Sequence, residues 1–179
     1  MSDETQETLV QEQARTKPKV EDIIPLYLDG ESRKSLVGFM EFCLSENIRC
    51  KWSATNRWKI VYKGESLGML YIGSSPCMGA GKHYDKNIWY THINSFPYLG
   101  EQVIDSEKLA EVIYRNVLPC QRGSKSCSKS DTVIIYGKAF EDVCPNSGSR
   151  FANPDAETMD YIKRSLEFRV KQISMEKAK

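Results

Sequence analysis

The chain has no long apolar run, little net charge and only two histidines. No window approaches the roughly 18 consecutive apolar residues that a membrane-spanning helix needs, so no membrane partner is expected. The first 19 residues, MSDETQETLVQEQARTKPK, have neither an apolar core nor a small-residue cleavage site and do not read as a secretory signal. A formal net charge of +1 provides no global field to steer the protein onto nucleic acid or an anionic membrane, so no nucleic-acid partner is expected either. There is no repeat at a period of 20 to 50 residues. Gly79 and Gly81 precede Lys82, but His83 stands where a phosphate-binding loop needs Ser or Thr, which leaves a plain loop. A cytoplasmic location is the expectation. There thiols stay reduced, and six cysteines are read as buried thiols, metal ligands or a redox centre rather than disulfides.

What is present is ordinary for a folded domain: 40% hydrophobic and 27% charged residues in 179. That length suits one core, with residues 1–18 as a polar disordered leader, 19–174 as a single α+β domain and 175–179 as a frayed tail. Ile23 to Leu28 suggests a turn of helix broken at Pro25. Leu36, Phe39, Met40, Cys43, Leu44 and Asn47 recur at helical spacing within a helix from Glu31 to Glu46, and Cys43 in that stripe reads as a small buried hydrophobe. From Cys50 the period changes to two. Trp58, Ile60 and Tyr62 share one face of a strand, and Leu67, Met69 and Tyr71 alternate in the same sense after a Lys63–Ser66 turn. Ile88 to Ile93 is a third strand, and Ser106 caps a second helix from Glu107 to about Val117. Thr132 to Tyr136 is a fourth strand. Asn153 caps a long C-terminal helix whose stripe is Met159, Ile162, Leu166, Val170 and Ile173 and which frays after Ser174. The predicted fold is an antiparallel sheet of three or more strands with helices mainly on one face, plus that long helix.

Two groups of residues carry chemistry. Cys120, Cys127 and Cys144 surround one strand and its loops, as candidate ligands of a structural zinc. The paired C-x2-C knuckle is missing, because Gly123 stands where the second thiol would be, and a fourth ligand could come from Cys77, His83, Cys50 or His92, none of which the sequence places in reach. The same thiols, with Arg122, Lys125 and Lys129 nearby, are the centre of an alternative thiol- or zinc-dependent enzyme. The second group is aromatic. Trp58, Tyr62, Tyr71, Trp89 and Tyr90 lie on predicted strands, with Trp52 beside them. Such rings serve either as core or as the walls of a cleft for a small hydrophobic or cationic molecule, with Glu41, Glu65 or Glu101 as the selecting acid.

The run from a helix through W-x-I-x-Y (Trp58, Ile60, Tyr62), a Lys63-Gly64 hairpin and the LGMLYI strand to an aromatic third strand resembles the GyrI-like family of small-molecule-binding domains. The resemblance covers about residues 31 to 117. It implies a two-layer α+β fold, a concave aromatic cleft for amphipathic or cationic compounds, and no catalysis in most members. The later IIYGKAF segment, its following cysteine and the Asn153-Pro154-Asp155 helix start resemble the tail of small bacterial proteins of unknown function, some with a fuller cysteine cluster. Gly123 departs from that cluster. Three functions follow: a ligand-binding or sensing domain first, then the thiol or zinc enzyme, then a non-catalytic interaction module.

Overall fold

The computed structural model describes residues 3–73, 85–94, 107–117, 131–135, 138–143 and 150–178. The chain divides into two compact units, residues 1–91 and 92–179. The expected α+β class holds, with antiparallel strand pairing and a long C-terminal helix.

The first unit opens with helix α1 (Asp3–Thr16) rather than a disordered leader. Its anchor is Gln13, which is buried against the tight turn between the first two strands. The Gln13 side chain accepts from the Asn56 backbone N–H at 2.9 Å and donates to Asn56 Oδ1 at 2.7 Å. A polar stretch can thus be ordered by one buried amide pair, which hydropathy patterning does not reveal.

Helix α2 (Val20–Tyr27) buries Val20, Ile23 and Ile24 on one stripe. Its first turn is closed by Asp22, whose carboxylate accepts from the Lys19 backbone N–H at 3.0 Å. Pro25 lies inside this helix instead of breaking it. Helix α3 (Gly30–Ser45) buries Leu36, Phe39 and Cys43 as the spacing predicts. Leu44, placed in the same stripe from sequence, is instead 78% exposed. The buried face is the narrower one defined by i, i+3 and i+7, and Leu44 lies one step past it.

Strands β1 (Arg49–Ala54), β2 (Arg57–Tyr62), β3 (Glu65–Ile72) and β4 (Trp89–Ile93) lie side by side in that order, and β1–β2 and β2–β3 are antiparallel. The β2–β3 turn is two residues, Lys63 and Gly64, at φ 46° and 90°. Two positive φ values in succession are the hairpin turn whose twist matches the strands, and glycine adopts the second without strain. The register sets Trp58 opposite Leu70 and Ile60 opposite Gly68, while Met69 faces Lys59 and Tyr71 faces Arg57. Met69 and Tyr71 therefore lie on the sheet face opposite Trp58. The cause is a bulge: the pairing slips between Ile60 and Val61, which leaves Leu67 as the extra residue of β3. The Trp58 face is the helix side, since Cys50, paired with Ile60 on that face, touches Met40 of α3 at 3.8 Å between sulfurs; Trp58 Nε1 donates to the Pro18 carbonyl at 2.9 Å, and Phe39 of α3 packs on Trp89 at 5.6 Å between ring centres.

The second unit begins with His92 and Ile93, the last residues of β4, and β7 (Phe151–Ala152) follows β4 in the sheet order. Helix α4 (Glu107–Asn116) buries Ala110, Val112 and Ile113, and β5 (Asp131–Ile135) pairs with β6 (Lys138–Val143) as a separate hairpin. Helix α5 (Ala156–Glu176) is capped by Asp155, not Asn153: its carboxylate accepts from the Thr158 backbone N–H at 2.8 Å. That bond holds the Asp155 carboxyl below its ordinary range, with the Thr158 hydroxyl and Arg115 assisting. Asn153 instead takes a positive φ of 37° ahead of Pro154. The buried stripe of α5 is Thr158, Tyr161, Ile162, Ser165, Leu166 and Ile173, so Met159 and Val170 sit at its margins. Burial pushes the Tyr161 hydroxyl up to about 12. The helix runs past Ser174 to Glu176.

Replacing Gln13 by Ala leaves the buried Asn56 N–H and side-chain oxygen without that partner, a loss on the order of 2 kcal/mol. Urea unfolding is expected to show this for Gln13→Ala, whereas exposed Gln11→Ala stays within about 0.5 kcal/mol of the parent.

Candidate functional site

Four of the five rings expected to line a cleft are placed in the core. Trp58 and Trp89 each have 0% exposure, and Tyr62 and Tyr71 are also buried. Each has a tertiary reason. Trp58 is held by its bond to Pro18, and Trp89 stacks obliquely on Phe39. Arg57 lies over the Tyr71 ring at 5.5 Å, and Lys63 over Tyr62 at 5.3 Å, so these two tyrosines already carry cations from their own hairpin. Tyr90 is half-buried, its hydroxyl pushed up first by burial and then by Asp85. Trp52, opposite Trp58 across β1–β2, is half-buried on the helix-facing side.

Cys120, Cys127 and Cys144, with Cys77, His83, Glu101 and Gly123, lie outside the described residues. Among the described residues no group of three or more His, Cys, Asp or Glu side chains could hold a metal ion. Cys43 is buried and in no disulfide, and its burial is what its place in the α3 stripe predicts. His92 is buried in the second unit, where burial and then the positive charge of Arg150 push it down to about 4. It is neutral at physiological pH.

A concave site lies elsewhere in the first unit. A groove of about 480 Å³ runs between α2, α3 and the start of β1. Its apolar walls are Ile24, Pro25, Val37, Met40, Leu44 and Ile48, with the half-buried Cys50 beside them. The thiol of Cys50 contacts Met40 Sδ at 3.8 Å, so the two sulfurs close one side together. Lys19, Glu21, Arg33, Glu41 and Arg49 contribute charge of both signs to the same walls. Pro25 adds one more polar feature. Having no N–H, it leaves the Glu21 carbonyl without its usual helical donor.

Glu41 was foreseen as a selecting acid and does line this groove, but beside aliphatic and sulfur side chains rather than rings. The sequence signal that could have located it is small: a proline directly after an apolar pair in α2, and an apolar residue, Leu44, one step beyond the buried stripe of α3. Alternation draws attention to β-strand aromatics because they are large. In this sheet their size makes them core.

Two expected outcomes follow from these placements. Trp58→Ala removes a wholly buried ring and is expected to cost about 3–5 kcal/mol in chemical denaturation. His92 protonates more readily unfolded, at its ordinary 6.5, than folded, at about 4. Its contribution to stability is therefore complete above about pH 6.5 and is lost as the pH falls towards 4, by up to about 3 kcal/mol. A pH series of urea midpoints is expected to show this decline, and His92→Gln to flatten it.

No family model matches the chain, and no curated protein and no solved structure matches it.

Proposed function

We propose that this protein is a binding or sensing domain for a small amphipathic molecule, held in the groove between α2, α3 and β1. The observation that carries this is the groove itself: about 480 Å³, within the range of small-molecule pockets, with contiguous aliphatic and thioether walls. Leu44 and Val37 leave apolar surface in water on a helix that buries Leu36, Phe39 and Cys43. Covering that surface favours an apolar body, while Glu21, Glu41, Lys19, Arg33 and Arg49 supply partners for a polar head. The function class is the one that the resemblance to GyrI-like domains implies, with the aromatic cleft replaced by an aliphatic one.

The walls carry both signs of charge, so the apolar body dominates affinity and the head group modulates it. In a series of alkyl amphiphiles with cationic, neutral or anionic heads, affinity is expected to rise by up to about fourfold per methylene, from roughly 0.8 kcal/mol for each buried CH2. Leu44→Asp is expected to weaken binding at least tenfold without lowering the melting temperature, since Leu44 is 78% exposed. A bound amphiphile is also expected to slow alkylation of Cys50, followed by site-resolved mass spectrometry. Affinity indifferent to chain length, or unchanged in Leu44→Asp, would refute the reading.

A further inference from the structure

The hairpin register gathers on one sheet face what the composition disperses. Lys51 is paired directly with Lys59, Arg49 with Val61, and Arg57 with Tyr71. Lys51 on β1 and Arg57 and Lys59 on β2 thus share the face turned away from the helices, and Arg49, at the start of β1, borders both this face and the groove beside α2 and α3. Lys63 adds a fifth cation at the turn. Arg49, Lys51, Lys59 and Lys63 are exposed, and Arg57 is half-buried. The other paired residues of this face, Val61, Met69 and Tyr71, carry no acid. A shallow groove of about 400 Å³ at its edge is lined by Asn47, Arg49, Lys51, Tyr62 and Lys63, with no carboxylate.

We propose that this face binds the phosphate backbone of nucleic acid without regard to sequence. Lysines on an edge strand have an ordinary role in preventing sheet-to-sheet aggregation, and that accounts for β1. It does not account for Lys59 and Arg57, which are on the inner strand β2. Nor does it account for Lys51 facing Lys59, since like charges directly opposite each other destabilise a sheet. A local rule broken without internal compensation is expected where an external anion supplies it. Among the described residues Lys51, Lys59 and Arg49 form no ion pair. Arg57 lies over the Tyr71 ring and Lys63 over the Tyr62 ring, which steadies both side chains beside these lysines.

The partner is an extended polyanion rather than one phosphate, because the cations form two rows. Alternate residues on a strand are about 6.8 Å apart and neighbouring strands about 4.8 Å. A single phosphate beside Lys63 cannot also reach Lys59 and Arg57, which stand four and six residues back along β2. A strand of regularly spaced phosphates can. The near-neutral total of +1 remains true of the whole chain and is no guide to this face.

The test uses the full chain and a fluorescein-labelled 20-nucleotide single strand of mixed sequence, with the matching duplex as a second arm, read by anisotropy. With about four phosphates neutralised, the single-strand affinity is expected to fall about fiftyfold between 50 and 200 mM salt, from a slope near −0.7 per phosphate. Lys51→Glu with Lys59→Glu is expected to weaken binding at least tenfold and leave the melting temperature unchanged or higher. The control pair Lys17→Glu with Lys171→Glu makes the same change in net charge elsewhere and is expected to weaken it by less than threefold. The arm that binds more tightly identifies the source of the backbone. Failure of both arms to bind at 50 mM salt would overturn the proposal. So would equal weakening by the control pair, displacement by a mononucleotide at the same phosphate concentration, or tighter binding of polyglutamate.

Discussion

The two-residue turn at Lys63–Gly64 is the constraint on which the first unit depends. Its two positive φ values fix how β2 and β3 meet, and the bulge that leaves Leu67 unmatched then sets the register of the rest of the hairpin. Because side chains alternate with a period of two, a shift of one residue would exchange the faces. With the observed register, Trp58, Ile60, Gly68 and Leu70 turn towards the helices, and Arg57, Lys59, Met69 and Tyr71 turn away. The bulge also lets Leu67 be buried as well as Leu70 and Ile72, which a regular alternation would not allow on one face.

β1 carries this division to the sheet edge. Cys50 points to the helix side and touches Met40, whereas its neighbour Lys51 stands opposite Lys59 on the other face. One strand therefore borders an aliphatic groove on one side and a cationic surface on the other. The two surfaces differ because their neighbours differ: α2 and α3 cover the first, and charged side chains in water cover the second. Keeping four cations on one side of a small meander is tolerable because they are exposed or half-exposed, where repulsion is screened.

Buried polar contacts supply specificity where apolar packing cannot. Gln13 and Asn56 tie α1 to the β1–β2 turn through two hydrogen bonds, and Thr91 Oγ1 donates to the Met69 carbonyl at 3.0 Å between β4 and β3. In the second unit Arg115 of α4 reaches Asp155 at 3.1 Å and the Thr158 hydroxyl at 3.0 Å, joining the end of one helix to the cap of another. The ion pair is exposed, so by itself it is worth little. Its effect is to orient Asp155, whose bond to the Thr158 N–H starts α5. Among the described residues no helix is long and apolar enough to cross a membrane.

Local periodicity by itself determined α3, the β2–β3 hairpin, β4, α4 and the long closing helix, because each has a stripe or alternation that only one element type can bury. It also determined that Cys43 is a core residue. It could not determine α1, whose order comes from Gln13 meeting a residue 43 positions away. It placed the cap of α5 two residues early, because Asn and Asp have equal capping chemistry and only the backbone path selects Asp155. The sites show the same limit. Five aromatic residues were legible as a group, but whether a ring is core or wall depends on what covers it, and Pro18 and Phe39 cover Trp58 and Trp89. The groove gathers residues of three elements, and the cationic face exists only through register. A sequence records which charges a chain has; which of them stand together is decided when strands pair and helices pack.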